Sequence, residues 1–281
     1  KADYIMVDNG AAEYDVSECS ASVTMKYLNT KTLAKKLGYG NPITTHEFGA
    51  DPYAIEYQGR VYVYMTADDY QYDDNGEVIS NDFNYITSLR VVSSTDLVNW
   101  TDHGEIDVAG QNGGKGPAMW ASHSWAPAIA YQKVDGKDKF FLYFANDASG
   151  IGVLEADTPL GPWRDPIGKA LLTRQTPGCA GVTWCFDPAV LVDDDGSAYI
   201  YFGGGVPNDG ANGEQLNPKT ARVAKLGADM ISIEGEAKEI DAPCMFEDSG
   251  IFKYDGKYYY SYCSNFIGPH GDGYPGLGNI C

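Results

Sequence analysis

No apolar run in the sequence approaches the ~20 residues that a membrane-crossing helix needs, and no stretch reads as one. Basic residues are few. Twenty Lys and Arg stand against 39 Asp and Glu, for a formal net charge of −19. Such a surface repels polyanions, which excludes nucleic acid and anionic membranes as expected partners and leaves neutral substrates open. The six cysteines show no zinc spacing. Cys179 and Cys185 are near enough in sequence to close a small loop, but disulfides and buried free thiols stay equally open. No leader peptide is visible, and the chain opens on Lys1 without a Met, as expected of a processed or trimmed product. Helical signals are scarce; Lys31 to Leu37 is one short candidate.

What is present is strand and turn. A chain of 281 residues with 43% hydrophobic content can bury one large β domain or two small ones. Its 21 tyrosines and 33 glycines favour strands joined by tight turns. The stretch Phe186 to Gly203 sets the pattern. Asp187-Pro188 opens it, Ala189 to Val192 suits a buried strand, Asp193 to Gly196 supplies turn residues, and Tyr199 to Phe202 returns. The pattern recurs from Asp51-Pro52 through a Gln58-Gly59 turn to Val61–Met65. It recurs again from Ala126-Pro127 through Asp135-Gly136 to Phe140–Phe144. A last copy runs from Glu247-Asp248 through Asp255-Gly256 to Tyr258–Tyr262. Third strands follow two of these hairpins, each ending at a Trp: Ile86–Ser93 before Trp100, and Gly152–Ala156 before Trp163. Repetition of one hairpin design predicts the blades of an all-β propeller.

Innermost propeller strands begin near one end of a common axis, so equivalent starts converge on one funnel. Those starts carry Asp51, Ala126, Asp187 and Glu247, three of them acidic in otherwise apolar strands. Carboxyls gathered in a partly dry funnel repel and split their pKa values. Glycosidic bond cleavage uses that condition, with one acid protonated for the leaving oxygen and another ionised to activate water. A single such acid reads better as a local backbone cap; three at equivalent starts point to chemistry. Asp51-Pro52 and Asp187-Pro188 are expected to hold their acids in extended backbone, because a residue before proline avoids the helical region. Glu247 is one methylene longer and has no proline after it, which suits a mobile proton donor. The acidic segment Ala67–Asn84 reads as a solvated loop rather than a cleft wall. The D-x-D-G cluster at Asp193–Gly196 reads as a plain hairpin turn, not a calcium loop.

The motifs G-A-D-P-Y (Gly49–Tyr53), S-W-A-P-A (Ser124–Ala128), F-D-P-A-V-L-V-D-D-D-G (Phe186–Gly196) and F-E-D-S-G-I-F-K (Phe246–Lys253) resemble glycoside hydrolase family 43. Within that family the chain resembles the arabinofuranosidases that trim arabinoxylan, and the match spans about residues 41 to 281. The resemblance implies a five-bladed propeller and an inverting reaction. It implies that Asp51 is the general base, Glu247 the general acid, and Asp187 the carboxyl that tunes and orients the acid. More weakly, it places Trp125, Asn146 and Phe266 at the sugar pocket. His123 is within reach of that pocket but gives little signal.

The expected architecture is therefore an all-β five-bladed propeller. Residues 41–281 supply blades one to four, and residues 1–40 are a preceding module's tail or a ring-closing strand. Ser20–Tyr27 is the strand candidate there. A fifth blade is not read in this chain, so a missing segment or second polypeptide is expected to complete the ring. The expected function is exo-acting α-L-arabinofuranosidase action on arabinoxylan or a related pentose polysaccharide, outside the cell. The alternatives are a β-xylosidase or arabinanase of the same family, or a non-catalytic sugar-binding propeller. No cofactor is required for the chemistry; a structural calcium stays open but is not assigned to residues.

Overall fold

The computed structural model describes residues 41–44, 47–68, 70–81, 83–205 and 219–264. Contacts divide the chain into two compact units, Lys1–Ile43 and Thr44–Cys281. Of the first, only 41–43 are described. The expected strand at Ser20–Tyr27, the helix at Lys31–Leu37 and the pocket residue Phe266 all lie outside the described residues.

The described part of the second unit is β-structure apart from two single-turn 3-10 helices, Phe83–Tyr85 and Asp147–Ser149. Ala50–Tyr57 (β1) and Arg60–Thr66 (β2) form the first hairpin. Tyr70–Tyr72 (β3) and Val78–Asn81 (β4) make a separate small ribbon. Ser88–Ser94 (β5) and Thr101–Asp107 (β6) complete a sheet of order β1-β2-β5-β6. Trp125–Val134 (β7), Lys137–Ala145 (β8), Gly150–Ala156 (β9) and Leu172–Thr173 (β10) form the second sheet. Ala189–Val192 (β11), Ala198–Phe202 (β12), Arg222–Leu226 (β13) and Ile233–Glu239 (β14) form the third. Met245–Tyr254 (β15) pairs with Lys257–Ser264 (β16). The leading strands β1, β7, β11 and β15 touch one another in that order, so the sheets are arrayed as propeller blades around their first strands. The propeller is the fold. The described residues supply three four-stranded blades and the inner hairpin of another.

Turn chemistry explains the hairpins. Gln58-Gly59, Asp135-Gly136 and Asp255-Gly256 each hold two successive residues at positive φ. That backbone follows the strand twist and needs Gly at its second position. Packing explains β8. Phe140, Leu142 and Phe144 face the first blade, against Tyr64, Leu89 and Val91. Phe141 and Tyr143 face the third, against Ile200 and Phe202. A blade covered on both sides needs an unbroken apolar run rather than alternation, and each such ring contributes about 1.5–3 kcal/mol by burial. Cys179, Cys185, Cys244 and Cys263 are free thiols, so Cys179 and Cys185 do not close a loop.

The D-x-D-G turn does more than reverse the chain. Asp193 accepts from Lys253 Nζ at 2.5 Å and from Tyr258 Oη at 2.5 Å, and Asp194 accepts from the same Lys253 at 2.7 Å. These bonds clamp the third blade to the last hairpin. They pull the Asp193 carboxyl down to about 2. A depressed carboxyl stabilises the fold above its unfolded pKa, and that contribution is lost as pH falls through its folded one. Asp193→Ala is therefore expected to lower Tm by roughly 2–4 °C at pH 7. The deficit should shrink between about pH 4 and pH 2, as thermal scans across that range would show.

Candidate active site

The same irregularity opens all four inner strands. Ala50 pairs with Thr66 and Tyr53 with Tyr64, so three residues on β1 span two on β2. Trp125 to Ala128 against Ala145 to Tyr143, and Glu247 to Gly250 against Cys263 to Ser261, repeat that count. In the third blade Gly203 N–H donates to Phe186 O while Ala189 pairs with Tyr201. Each is a bulge, and a bulge re-aims the extra side chain. The bulged residues are Asp51, Ala126, Asp187 and Asp248, with φ of 50°, 36°, 48° and 68°.

This overturns two expectations. The acids before proline are not extended; they are left-handed, because the bulge absorbs the additional residue, and Asp tolerates that region better than most side chains. Glu247 is also not the equivalent of Asp51 and Asp187. Its counterparts are Ala50, Trp125 and Phe186, and the fourth bulged position belongs to Asp248. The sequence masks Asp248, because Ser249 stands where the other blades have proline. Aligning Asp248-Ser249 with Asp51-Pro52 and Asp187-Pro188 reveals it.

The bulges wire neighbouring blades together. The Ala126 N–H donates to Thr66 Oγ1 at 2.9 Å, and that hydroxyl donates to Asp51 Oδ2 at 3.1 Å. The Asp248 N–H donates to Asp187 Oδ2 at 2.9 Å. A hollow of about 440 Å³ is lined by Asp51, Asp187 and Glu247 together. Trp125, Trp184, Phe186 and Phe83 contribute aromatic walls to it. A second hollow of about 490 Å³ shares Asp51 and Asp187 and adds Asp248. Asp51 and Asp187 thus stand between Glu247 on one side and Asp248 on the other.

Crowding sets the charges. Asp51 is reached by water through the hollows, yet protein surrounds it on most sides. Burial, then the Asp248 carboxyl, pushes it up to about 6, against the pull of the Thr66 hydroxyl. Glu247 is half-buried, and burial followed by Asp248 and Asp51 pushes it up to about 7. Asp187 is 7% exposed; burial, then Asp51, holds it well above the usual carboxylate range. The site can therefore hold an ionised Asp51 and a protonated Glu247 together near neutral pH.

The softer expectations fare differently. Trp125 lines the hollow, its indole N–H fixed by donation to Phe83 O at 2.9 Å and its ring edge-on to Phe83. Asn146 does not line it. Its Oδ1 accepts from the N–H groups of Ser122 and His123 at 2.8 and 3.0 Å, so it holds the segment that delivers Trp125. His123 is hydrogen-bonded to Asn84 O and Ser122 Oγ. The segment Ala67–Asn84 is not merely a solvated loop, since its Asp68 and Phe83 form part of the wall. Trp184 and Phe186 are wall residues that the sequence pattern does not single out. They sit edge to face at 5.4 Å just ahead of Asp187, in W-C-F-D-P, where the aromatic pair was the available signal. Among the described residues no group of three or more His, Cys, Asp or Glu is placed to hold a metal ion.

Residues 39–272 match the model of glycosyl hydrolases family 43. An arabinoxylan arabinofuranohydrolase of Paenibacillus polymyxa is 61% identical over 248 residues, covering 87% of this chain and 39% of that protein. One from Bacillus subtilis (strain 168) is 58% identical over 257 residues, covering 90% of this chain and 50% of its own length. The chain thus spans half or less of these curated relatives. Among solved structures, a family 43 arabinoxylan arabinofuranohydrolase from Bacillus subtilis, in complex with cellotetraose, superposes with a TM-score of 0.82 at 57% identity. It covers 88% of this chain and 52% of that one.

Proposed function

The chain belongs to glycosyl hydrolase family 43, and from that premise we propose that it carries the chemistry of an exo-acting α-L-arabinofuranosidase on arabinoxylan. The observation that carries this reading is the convergence of Asp51, Asp187 and Glu247 on one aromatic-walled hollow. Ionised Asp51 takes a proton from a water molecule as that water attacks the anomeric carbon. Glu247 gives its proton to the departing xylan oxygen as the glycosidic bond breaks. The anomeric centre inverts. Asp187, held by the Asp248 N–H and pushed well above the usual carboxylate range by burial and then by Asp51, orients the pair. Flat aromatic walls suit the apolar face of a sugar ring. Because the relatives of that name are 58–61% identical, their printed activity is the preferred one for this chain. A polymeric substrate does not cross a membrane, which supports an extracellular site of action.

The order of the two acids has a consequence for pH. Asp51 must lose its proton and Glu247 must keep its own. The active form therefore accumulates between about 6 and about 7. A plot of kcat/KM should be bell-shaped, falling below about pH 6 as Asp51 protonates and above about pH 7 as Glu247 ionises. The reading itself is tested by incubation with arabinoxylan and with xylobiose. Release of arabinose from the first supports it. Release of xylose from the second in preference would indicate a β-xylosidase, and binding without any product would indicate a sugar-binding propeller.

A further inference from the structure

The first and third blades are joined by one side chain. The Tyr53 hydroxyl accepts the Val190 N–H at 3.0 Å and donates to the Val190 carbonyl at 2.7 Å. Val190 lies on β11, whose ladder partner is β12. In an antiparallel ladder a residue's N–H and C=O point to the same side. Here both point off the inner edge of the blade, where β11 has no ladder partner, and one hydroxyl satisfies the two. Tyr53 is half-buried and packs against both large core clusters.

This bridge has no copy elsewhere in the repeat. By ladder register, the residues equivalent to Tyr53 are Ala128, Ala189 and Gly250. None of these carries a polar side chain. The bridge also skips a blade, since β7 is the strand that touches both β1 and β11. Its ends lie near the acids. Asp51 is two residues before Tyr53, and Asp187 is three before Val190.

We propose that Tyr53 is a positioning residue, whose hydroxyl ties β1 to β11 and thereby fixes Asp51 against Asp187. The inference rests on the arabinofuranosidase reading for its kinetic consequence. The two carboxyls are joined by their own bonds only indirectly, through Asp248 on β15, whose side chain hydrogen-bonds Asp51 and whose N–H holds Asp187. Thr66 holds Asp51 from β2, and the Asp248 N–H holds Asp187 from β15. The Tyr53 bridge is the direct tie between the strands that bear them. Losing it lets β1 and β11 part, and a misplacement of ~1 Å in a catalytic group can cost roughly 100-fold in rate.

The test is Tyr53→Phe in the full chain, compared with Tyr143→Phe. Tyr143 also donates a buried hydroxyl between blades, to Met230 O at 2.7 Å, but it does not line either hollow. Tyr53→Phe is expected to lower kcat on arabinoxylan roughly 10- to 100-fold with KM within about twofold. The Asp187 carboxyl, which burial and then Asp51 push up, should also titrate lower, because a carboxyl moved away from Asp51 is repelled less. Tyr143→Phe is expected to lower Tm while leaving kcat and the pH profile in place. Tyr53→Phe behaving like Tyr143→Phe would overturn the proposal. If Tyr53→Phe does not fold, 3,5-difluorotyrosine at position 53 weakens the hydroxyl as an acceptor while keeping the ring. A lowered kcat with KM unchanged then supports the proposal, and an unchanged kcat overturns it. If the wild type releases no arabinose, the functional reading fails by itself. Carboxyl 13C titration of Asp51 and Asp187, wild type against Tyr53→Phe, then decides the positioning role without substrate: altered titration supports it, and identical curves overturn it.

Discussion

Glu247→Ala is expected to slow arabinose release from arabinoxylan by roughly 100- to 10,000-fold while largely sparing aryl arabinofuranosides with acidic phenol leaving groups. A xylan hydroxyl is a poor leaving group and departs only when protonated. A nitrophenolate departs without that help, so its hydrolysis needs mainly the base. The difference between the two substrates isolates proton donation from any loss of fold or binding. The basic limb of the pH profile should vanish with the side chain, because the group pushed up to about 7 is then gone. Parallel loss on both substrates would assign Glu247 to something other than the acid. Glu247 leads directly into a bulge on β15 and lies on a different ladder position from the other acids. Truncating it leaves the left-handed Asp248 and its bond to Asp187 in place.

Asp51→Asn should be inactive on every substrate, with losses of roughly 100- to 10,000-fold on polysaccharide and aryl glycoside alike. Water must be deprotonated whichever group departs, so leaving-group chemistry cannot rescue this variant. Asn is the informative replacement. It tolerates the φ of 50° at this position and still accepts from Thr66, so the bulge is kept and the charge alone removed. Binding of arabinoxylan oligosaccharides, measured by calorimetry, should persist. The acidic limb near pH 6 should disappear with the group that generates it. Turnover near the wild-type level would end the base assignment.

Much of this was legible in the sequence, and the rest was hidden for identifiable reasons. The hairpins showed because Gln58-Gly59, Asp135-Gly136 and Asp255-Gly256 are turn pairs whose backbone demands are local. Asp51, Asp187 and Glu247 showed because a carboxyl beside apolar strand residues is costly unless it is used. The bulges did not show. A bulge is a count of residues between two paired strands, which neither strand states alone. That is why the sequence alone aligns Glu247, rather than Asp248, with Asp51 and Asp187. The wall residues Asp68 and Phe83 come from a polar segment that acquires its role only beside Trp125. The clamp at Asp193 joins residues 60 apart in sequence, and the bridge from Tyr53 to Val190 joins residues 137 apart. No local pattern encodes either.

The most direct measurement is the anomeric form of the first sugar released, followed by proton NMR in the opening minutes of arabinoxylan hydrolysis. Attack by one water activated at Asp51, opposite a departing oxygen protonated by Glu247, predicts β-L-arabinofuranose first, with the α form growing in by mutarotation. Initial release of the α anomer would require a covalent intermediate and would contradict the roles given to both carboxyls.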